Sequence, residues 1–252
     1  MPNRLFLVTL VLIIMAAPYA HADPLKLDED ITDTMVIPYD DSDPAAGTFT
    51  FSYRYPRVDS AEADANIVNG YYRDQIEMNE TNMYFFADGY AAMGTSVTKD
   101  ISYRITCNND DYLSALMMQD LQIGDSHRII WEGNTFSRKN GGISNTSNLP
   151  KLLGLLDTSE QDEFKIEKQA RKVSEAVLEI ILDMIDENPD RIPYYYDLIT
   201  YDYLLETVYP EEDFYLNENG DFVFFVNPGV IADESLGYML FPIPFDDVAD
   251  AV

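Results

Sequence analysis

The chain has 252 residues, with 45 Asp and Glu against 16 Lys and Arg, and a formal net charge of -29 at pH 7. So few cations make nucleic acid and anionic membrane surfaces poor partners, because phosphate binding rests on Lys and Arg, whereas a cationic partner would be attracted at long range. One cysteine, Cys107, excludes an internal disulfide, and with His127 it falls short of the usual nitrogen and sulfur ligand sets for zinc.

Residues 1–22 read as a cleavable export signal. Arg4 gives a positive start, residues 5–17 are apolar apart from Thr9, and Ala20 and Ala22 stand where a signal peptidase reads small residues, so cleavage is expected before Asp23. A membrane anchor needs roughly 20 apolar residues, and this run is shorter and ends in Pro18. A lipoprotein would need a cysteine at the cleavage site. The expectation is a periplasmic or secreted protein with no stable membrane anchor after cleavage.

Residues 23–46, rich in Asp and Glu, offer little to bury and are expected to form a flexible leader. Residues 48–55 alternate polar and aromatic side chains, as a half-buried strand does, and Pro56 ends the run. Ser60 is placed to cap a helix that carries Ala63, Ile67, Tyr71 and Ile76 near one face and ends near Asn79. Strands are expected around 83–86, 101–107, 112–121 and 128–136, with a turn at 108–111 and another at Asn140, Gly141 and Gly142. Cys107, at the end of a strand, is expected to be a small buried apolar side chain.

A short helix over 148–156 has Pro150 near its start. Thr158, with Gln161 three residues on, is placed to cap a long helix, whose stripe is Phe164, Ala170, Val173, Val177, Ile180, Ile181 and Met184 and whose stop is Asn188 and Pro189. Tyr194, Leu198, Tyr201, Leu205 and Val208 form a second helical stripe, broken by Pro210. Strands over 213–216 and 222–226 flank a hairpin turn at 217–220, and a last strand over 237–244 carries prolines that suit a sheet edge. Runs of strands and runs of helices, without strict alternation, predict an α+β fold: antiparallel sheets packed against a few helices in two closely associated subdomains.

The order of these elements in residues 134–242, with Asn134 to Gly141 as a strand entering a Lys-x-Gly turn, the segment 143–156, the long helix, the hairpin around Gly220 and Gly237 before the last strand, resembles the extracytoplasmic domain of RsiV-type anti-sigma factors. Residues 49–122, with Tyr55 and Pro56 and the helix after them, are similar to the domain that precedes it, a pair also found in PdaC-type peptidoglycan deacetylases outside their catalytic domain. The resemblance implies subdomains at 47–135 and 136–252 and an envelope sensor-type binding domain. RsiV-type domains bind lysozyme, a basic protein. The family segment Gly-Gly-Ala-His is matched here at Gly124 and His127 only, and nothing resembles a sigma-binding segment or a deacetylase domain.

The chemistry legible in the sequence is sparse. Gly124, Asp125 and Ser126 have the residue types of an esterase nucleophile block, but the base available after cleavage is His127, and neighbours on a strand point to opposite faces. Aligning Gly220 with the glycine of a calcium loop puts Tyr215 and Val226 at ligand positions, so that match fails. No catalytic residue, metal or cofactor is therefore assigned. Tyr194 and Tyr201 belong to the core stripe; Tyr196 and Tyr203 lie off it and, with His127, are the candidate ligand-contacting residues. The reading is a non-catalytic binding module for a basic extracellular protein or a cell-wall glycan. The alternatives are an envelope hydrolase using paired carboxylates and a structural envelope protein without a specific ligand.

Overall fold

A six-stranded sheet and a three-stranded sheet, each with its own core, meet through a small cluster between them. The computed structural model describes residues 23–40, 43, 46–139, 142–157, 159–187 and 194–252. The export signal, Thr158, the stop at Asn188 and Pro189, and most of the turn at 140–142 lie outside the described residues.

The first sheet has the strand order β1 (Ile31–Pro38), β2 (Thr48–Tyr55), β3 (Val97–Asn108), β4 (Tyr112–Ile123), β5 (Ser126–Ser137) and β6 (Ser144–Asn145). β2 runs over the span that alternation predicts, with Phe49, Phe51 and Tyr55 buried. The supposedly flexible leader contains β1, which pairs along its length with β2, from Ile31 opposite Tyr55 to Pro38 opposite Thr48. Backbone pairing holds it, and Ile31, Met35 and Ile37 lean on the core between the acids.

β2 and β3 are parallel, unlike the other pairs in this sheet. Parallel neighbours need a long crossover, and α1 (Ala65–Ala92) supplies it. The strand expected around 83–86 is therefore helix. Val68, Tyr72, Ile76, Asn79, Met83 and Ala87 recur every three or four residues and are buried, so α1 continues through the three consecutive aromatics at 84–86. It begins at Ala65, not after Ser60, and Asp64 precedes it in the left-handed region at φ 58°.

The second unit packs α2 (Leu149–Leu152), α3 (Glu163–Asp186), α4 (Tyr201–Thr207) and α5 (Phe245–Ala251) around a three-stranded sheet, β7 (Phe214–Leu216), β8 (Phe222–Val226) and β9 (Met239–Ile243). β9 is an edge strand, as its prolines require. Asp162 caps α3 by accepting from Lys165 N at 3.3 Å. Val173, Val177 and Ile181 are buried with Phe224, Phe222 and Leu204 in one core. Phe164, expected on that stripe, is exposed, because the first turns of α3 extend past the core. The helix expected over 194–208 is confined to α4: Tyr194 instead makes a β-bridge with Ala232, and Thr200 caps α4 by accepting from Tyr203 N.

The two units share side chains. Cys107 and Tyr112, from the first sheet, belong to the second core, and burial pushes the Cys107 thiol up to about 11. Leu116 packs with Tyr215, Val223 and Phe225 between the sheets. The buried Ser114 hydroxyl accepts from Leu216 N at 3.1 Å and lies 3.0 Å from Thr135 Oγ1. β5 crosses β7 so closely that a Cβ on Gly133 would lie 1.6 Å from the Phe214 carbonyl oxygen, so only glycine fits. The subdomain boundary expected at 135/136 falls inside β5.

Candidate functional site

Period-two alternation on three strands and a 3.6-residue period on α1 bring a set of polar side chains together in the first unit. On β3, Lys99 occupies an inward-facing position between the buried Val97 and Ile101. On β4, Gln119 pairs with Ile101 on one side and Ile130 on the other. On β5, Glu132 pairs with Met117 and Asn134 follows on the same face. α1 covers this face and adds Gln75, Met78, Asn79 and Asn82. The result is a cleft of about 240 Å³ between helix and sheet.

Two hydrogen-bond groups organise the cleft. Lys99 Nζ donates to Asn79 Oδ1 at 2.5 Å, and Asn79 Nδ2 donates to Gln75 O at 2.9 Å and faces the Tyr55 hydroxyl at 3.4 Å. Glu132 Oε1 accepts from Asn134 Nδ2 at 2.8 Å and from the Tyr71 hydroxyl at 3.4 Å. The Lys99 ammonium also lies 5.9 Å from the centre of the Phe51 ring. Burial lowers the Lys99 pKa, and Glu132 opposes that shift without reaching ion-pair distance. Burial raises the Tyr55 and Tyr71 hydroxyl pKa values, and Glu132 adds to both. Among the described residues, Glu132 is the one carboxylate lining the cleft. Among the described residues no group of three or more His, Cys, Asp or Glu could hold a metal ion.

The helix wall of the cleft continues into solvent. Met78, Asn82 and Phe85 follow one another at helical spacing, so they share a side of α1, and Met93 caps its end. Phe85 is 77% exposed, Met93 64%, Phe86 51% and Met78 50%. The Phe85 and Phe86 rings meet edge to face with centroids 5.0 Å apart. α1 carries four acids, Asp74, Glu77, Glu80 and Asp88, against one base, Arg73. A second hollow of about 710 Å³, over Thr32, Thr34, Ser52, Arg54 and Asp100, is a shallow depression on β1–β3.

The candidate residues from the sequence lie elsewhere and apart. His127, on the β4–β5 hairpin, is half exposed, and its Nε2 is 2.9 Å from Asp120 Oδ1. Both point away from the cleft, whose side of these strands carries Gln119 and Ile130. Gly124, at φ 56°, forms the hairpin turn that leads to Ser126. Tyr203 is not an open surface residue. It packs partly buried against the second core, and its hydroxyl donates to Val230 O at 2.7 Å. Tyr196 is 39% exposed and meets Tyr194 edge to face at 5.7 Å.

Sequence reasoning missed Lys99, Asn79 and Glu132. A lysine at an inward strand position between Val97 and Ile101, and an asparagine on the buried stripe of α1, were the available signals.

No protein-family model matches the chain, and no curated protein matches it. Solved structures are similar to the chain, among them two of the DUF3298 family. One is a member of the DUF3298 family from Bacteroides fragilis, 13% identical, with a TM-score of 0.49 over 89% of this chain and 93% of that one. Another is a DUF3298 family protein from Pseudomonas aeruginosa, 12% identical, with a TM-score of 0.45 over 90% of this chain and 93% of that one.

Proposed function

We propose that the protein is an exported, non-catalytic binding module of the cell envelope, and that the Met and Phe strip along α1 is the surface with which it meets a cationic protein such as lysozyme. The observation that carries this reading is the strip itself. Phe85, 77% exposed, stands beside Phe86 and in line with Met78 on a helix whose other side is core and whose C-terminal cap is the exposed Met93. Large apolar side chains left in water on one helical stripe suit a partner that buries them, and aromatics and methionine are enriched at such interfaces. The acids of α1 and a net charge of -29 favour a basic partner.

The hydrolase alternative gains nothing from the cleft, which is lined by one carboxylate where the chemistry needs two. Among the described residues no helix is long and apolar enough to cross a membrane. Titration calorimetry of the chain from Asp23 onward against lysozyme tests the reading. Saturable binding that persists at moderate salt and weakens in Phe85→Ala supports it, and its absence removes it.

A further inference from the structure

The cleft beneath α1 has more hydrogen-bonding capacity than the protein uses. The side-chain amides of Gln75, Asn82 and Gln119 line it and make no described hydrogen bond within the protein. Glu132 uses Oε1 for both of its described bonds, which leaves Oε2 open. The Lys99 ammonium has three donors and one described protein acceptor, Asn79 Oδ1. None of the described ion pairs includes it. In a chain this acidic, a half-buried lysine that faces a cavity without a carboxylate at ion-pair distance is unusual, because burying a charge without its opposite is costly. Met78, Ile101, Met117 and Ile130 supply apolar area around these polar groups.

We infer that this cleft binds a single acidic sugar unit, with the sugar carboxylate on Lys99 and its hydroxyls on the amides of Gln75, Asn82 and Gln119 and on Glu132. The size selects a small ligand. About 240 Å³ is the share of roughly eight waters and lies below the roughly 300–1,000 Å³ of sites for drug-sized molecules. The lining selects the chemistry. Amides both donate and accept, as hydroxyls do. An ammonium group can only donate, and the one carboxylate among the lining side chains gives an amino acid less to bind than the three open amides give a sugar. Lys99 then distinguishes an acidic sugar from a neutral one, because a carboxylate would offset the cost of burying the ammonium.

The cleft lies under α1 and shares Met78 with the docking strip, but Phe85 and Phe86 do not line it. Glucuronate, glucose and acetate, titrated into the protein and followed by amide chemical shifts, test the inference. Glucuronate is expected to saturate with a dissociation constant of about 1 mM, an ordinary efficiency for thirteen heavy atoms. The perturbed amides should lie in α1, β3, β4 and β5. Glucose and acetate should each bind at least tenfold more weakly. Lys99→Met, which keeps a long unbranched side chain and removes the buried charge, should stay folded and lose at least tenfold in glucuronate affinity. Gln119→Leu should also weaken glucuronate. Phe85→Ala should leave glucuronate binding unchanged, so failure of the docking reading and failure of this one are told apart. No saturable response to glucuronate, equal affinity for acetate, or unaltered glucuronate binding in both Lys99→Met and Gln119→Leu would each overturn the inference.

Discussion

Tyr238 lies flat against Trp131, with ring centroids 4.1 Å apart and planes 7° from parallel. Its hydroxyl accepts from Trp131 N at 2.9 Å and donates to Ile129 O at 3.1 Å. At these positions β5 pairs with β4 on one side, while its pairing with β6 is confined to Phe136 and Ser137. One tyrosine from the segment before β9 thus satisfies an open strand edge, which would otherwise invite pairing with another chain, and ties the second unit to the first sheet.

Tyr238→Phe should keep the stack and lose both hydrogen bonds, at a cost of about 1 kcal/mol. Tyr238→Ala should also uncover Trp131 and shift its emission to longer wavelength. Trp131 is the only tryptophan, so fluorescence reads this junction directly. An unchanged emission spectrum in Tyr238→Ala would show that the contact does not form.

Val177 of α3 and Phe224 of β8 are both buried in the second core. Val177→Ala removes two methyl groups and should cost about 2 kcal/mol. Val177→Asp places a carboxylate there without a partner and should cost at least ~3 kcal/mol, a large part of the 5–15 kcal/mol typical of a native domain. Chemical denaturation measures both. An Asp variant as stable as the parent would mean that α3 faces water.

Much of this architecture was legible because its periods are local. β2 alternates cleanly enough to be placed, β3, β4 and β5 stand out as runs separated by turn residues, and the α3 stripe at Val173, Val177 and Ile181 marks its own buried face. The misreadings have a common cause, in that tertiary pairing overrode local pattern. β1 sits between the acids at 28–30 and Asp40, and it is held by backbone pairing with β2. Tyr84, Phe85 and Phe86 have high strand propensity, yet they lie in a helix anchored by Met83 and Ala87. α5 was missed because Val248 is its one buried residue. The cleft could not be found as a motif, since Lys99, Asn79 and Glu132 come from three elements and meet only through packing.

Asp213 should make stability fall with pH. Burial pushes its carboxyl up to about 7, and Glu212 and then Glu211 add to the shift. In the unfolded chain an aspartate titrates near 3.9. Between about pH 4 and 7 the folded state therefore keeps a proton that the unfolded state has released. The stability contributed by this group is fully present below about pH 4 and lost as pH rises through about 7. The slope is at most ~1.4 kcal/mol per pH unit, and less where solvent reaches the carboxyl. Asp213→Asn keeps the shape and removes the titration. It should melt above the parent at pH 8 and converge with it near pH 4. Parallel melting curves across that range would place the carboxylate in water.

Export should leave Asp23 as the first residue, because Ala20 and Ala22 meet the small-residue requirement just before it. Mass spectrometry of the protein from its native envelope reads the terminus. A chain that retains residues 1–22 would remove both the cleavage expectation and the periplasmic or secreted assignment.

The docking strip makes the sharpest prediction, since charge and packing respond differently to salt. Attraction between a chain of -29 and a basic protein should speed association at low ionic strength. It should fade as the Debye length shrinks from ~10 Å at 0.1 M to ~3 Å at 1 M. A packed apolar centre is not screened in this way, and it supplies the affinity that remains. Phe85→Ala should leave the melting temperature within error of the parent, because its side chain is largely in water, and Phe86→Ala, half exposed, should lower it only slightly. Each should weaken lysozyme binding about tenfold or more, the loss expected of an interface anchor. Tyr196→Ala is a control on the far unit; Tyr203→Ala is a poorer one, since it also breaks the hydrogen bond to Val230. Calorimetry at 0.1 M and 0.3 M salt separates the cases. Binding that disappears by 0.3 M and ignores both phenylalanine variants would be charge attraction alone, and the strip would then have some other partner than a cationic protein.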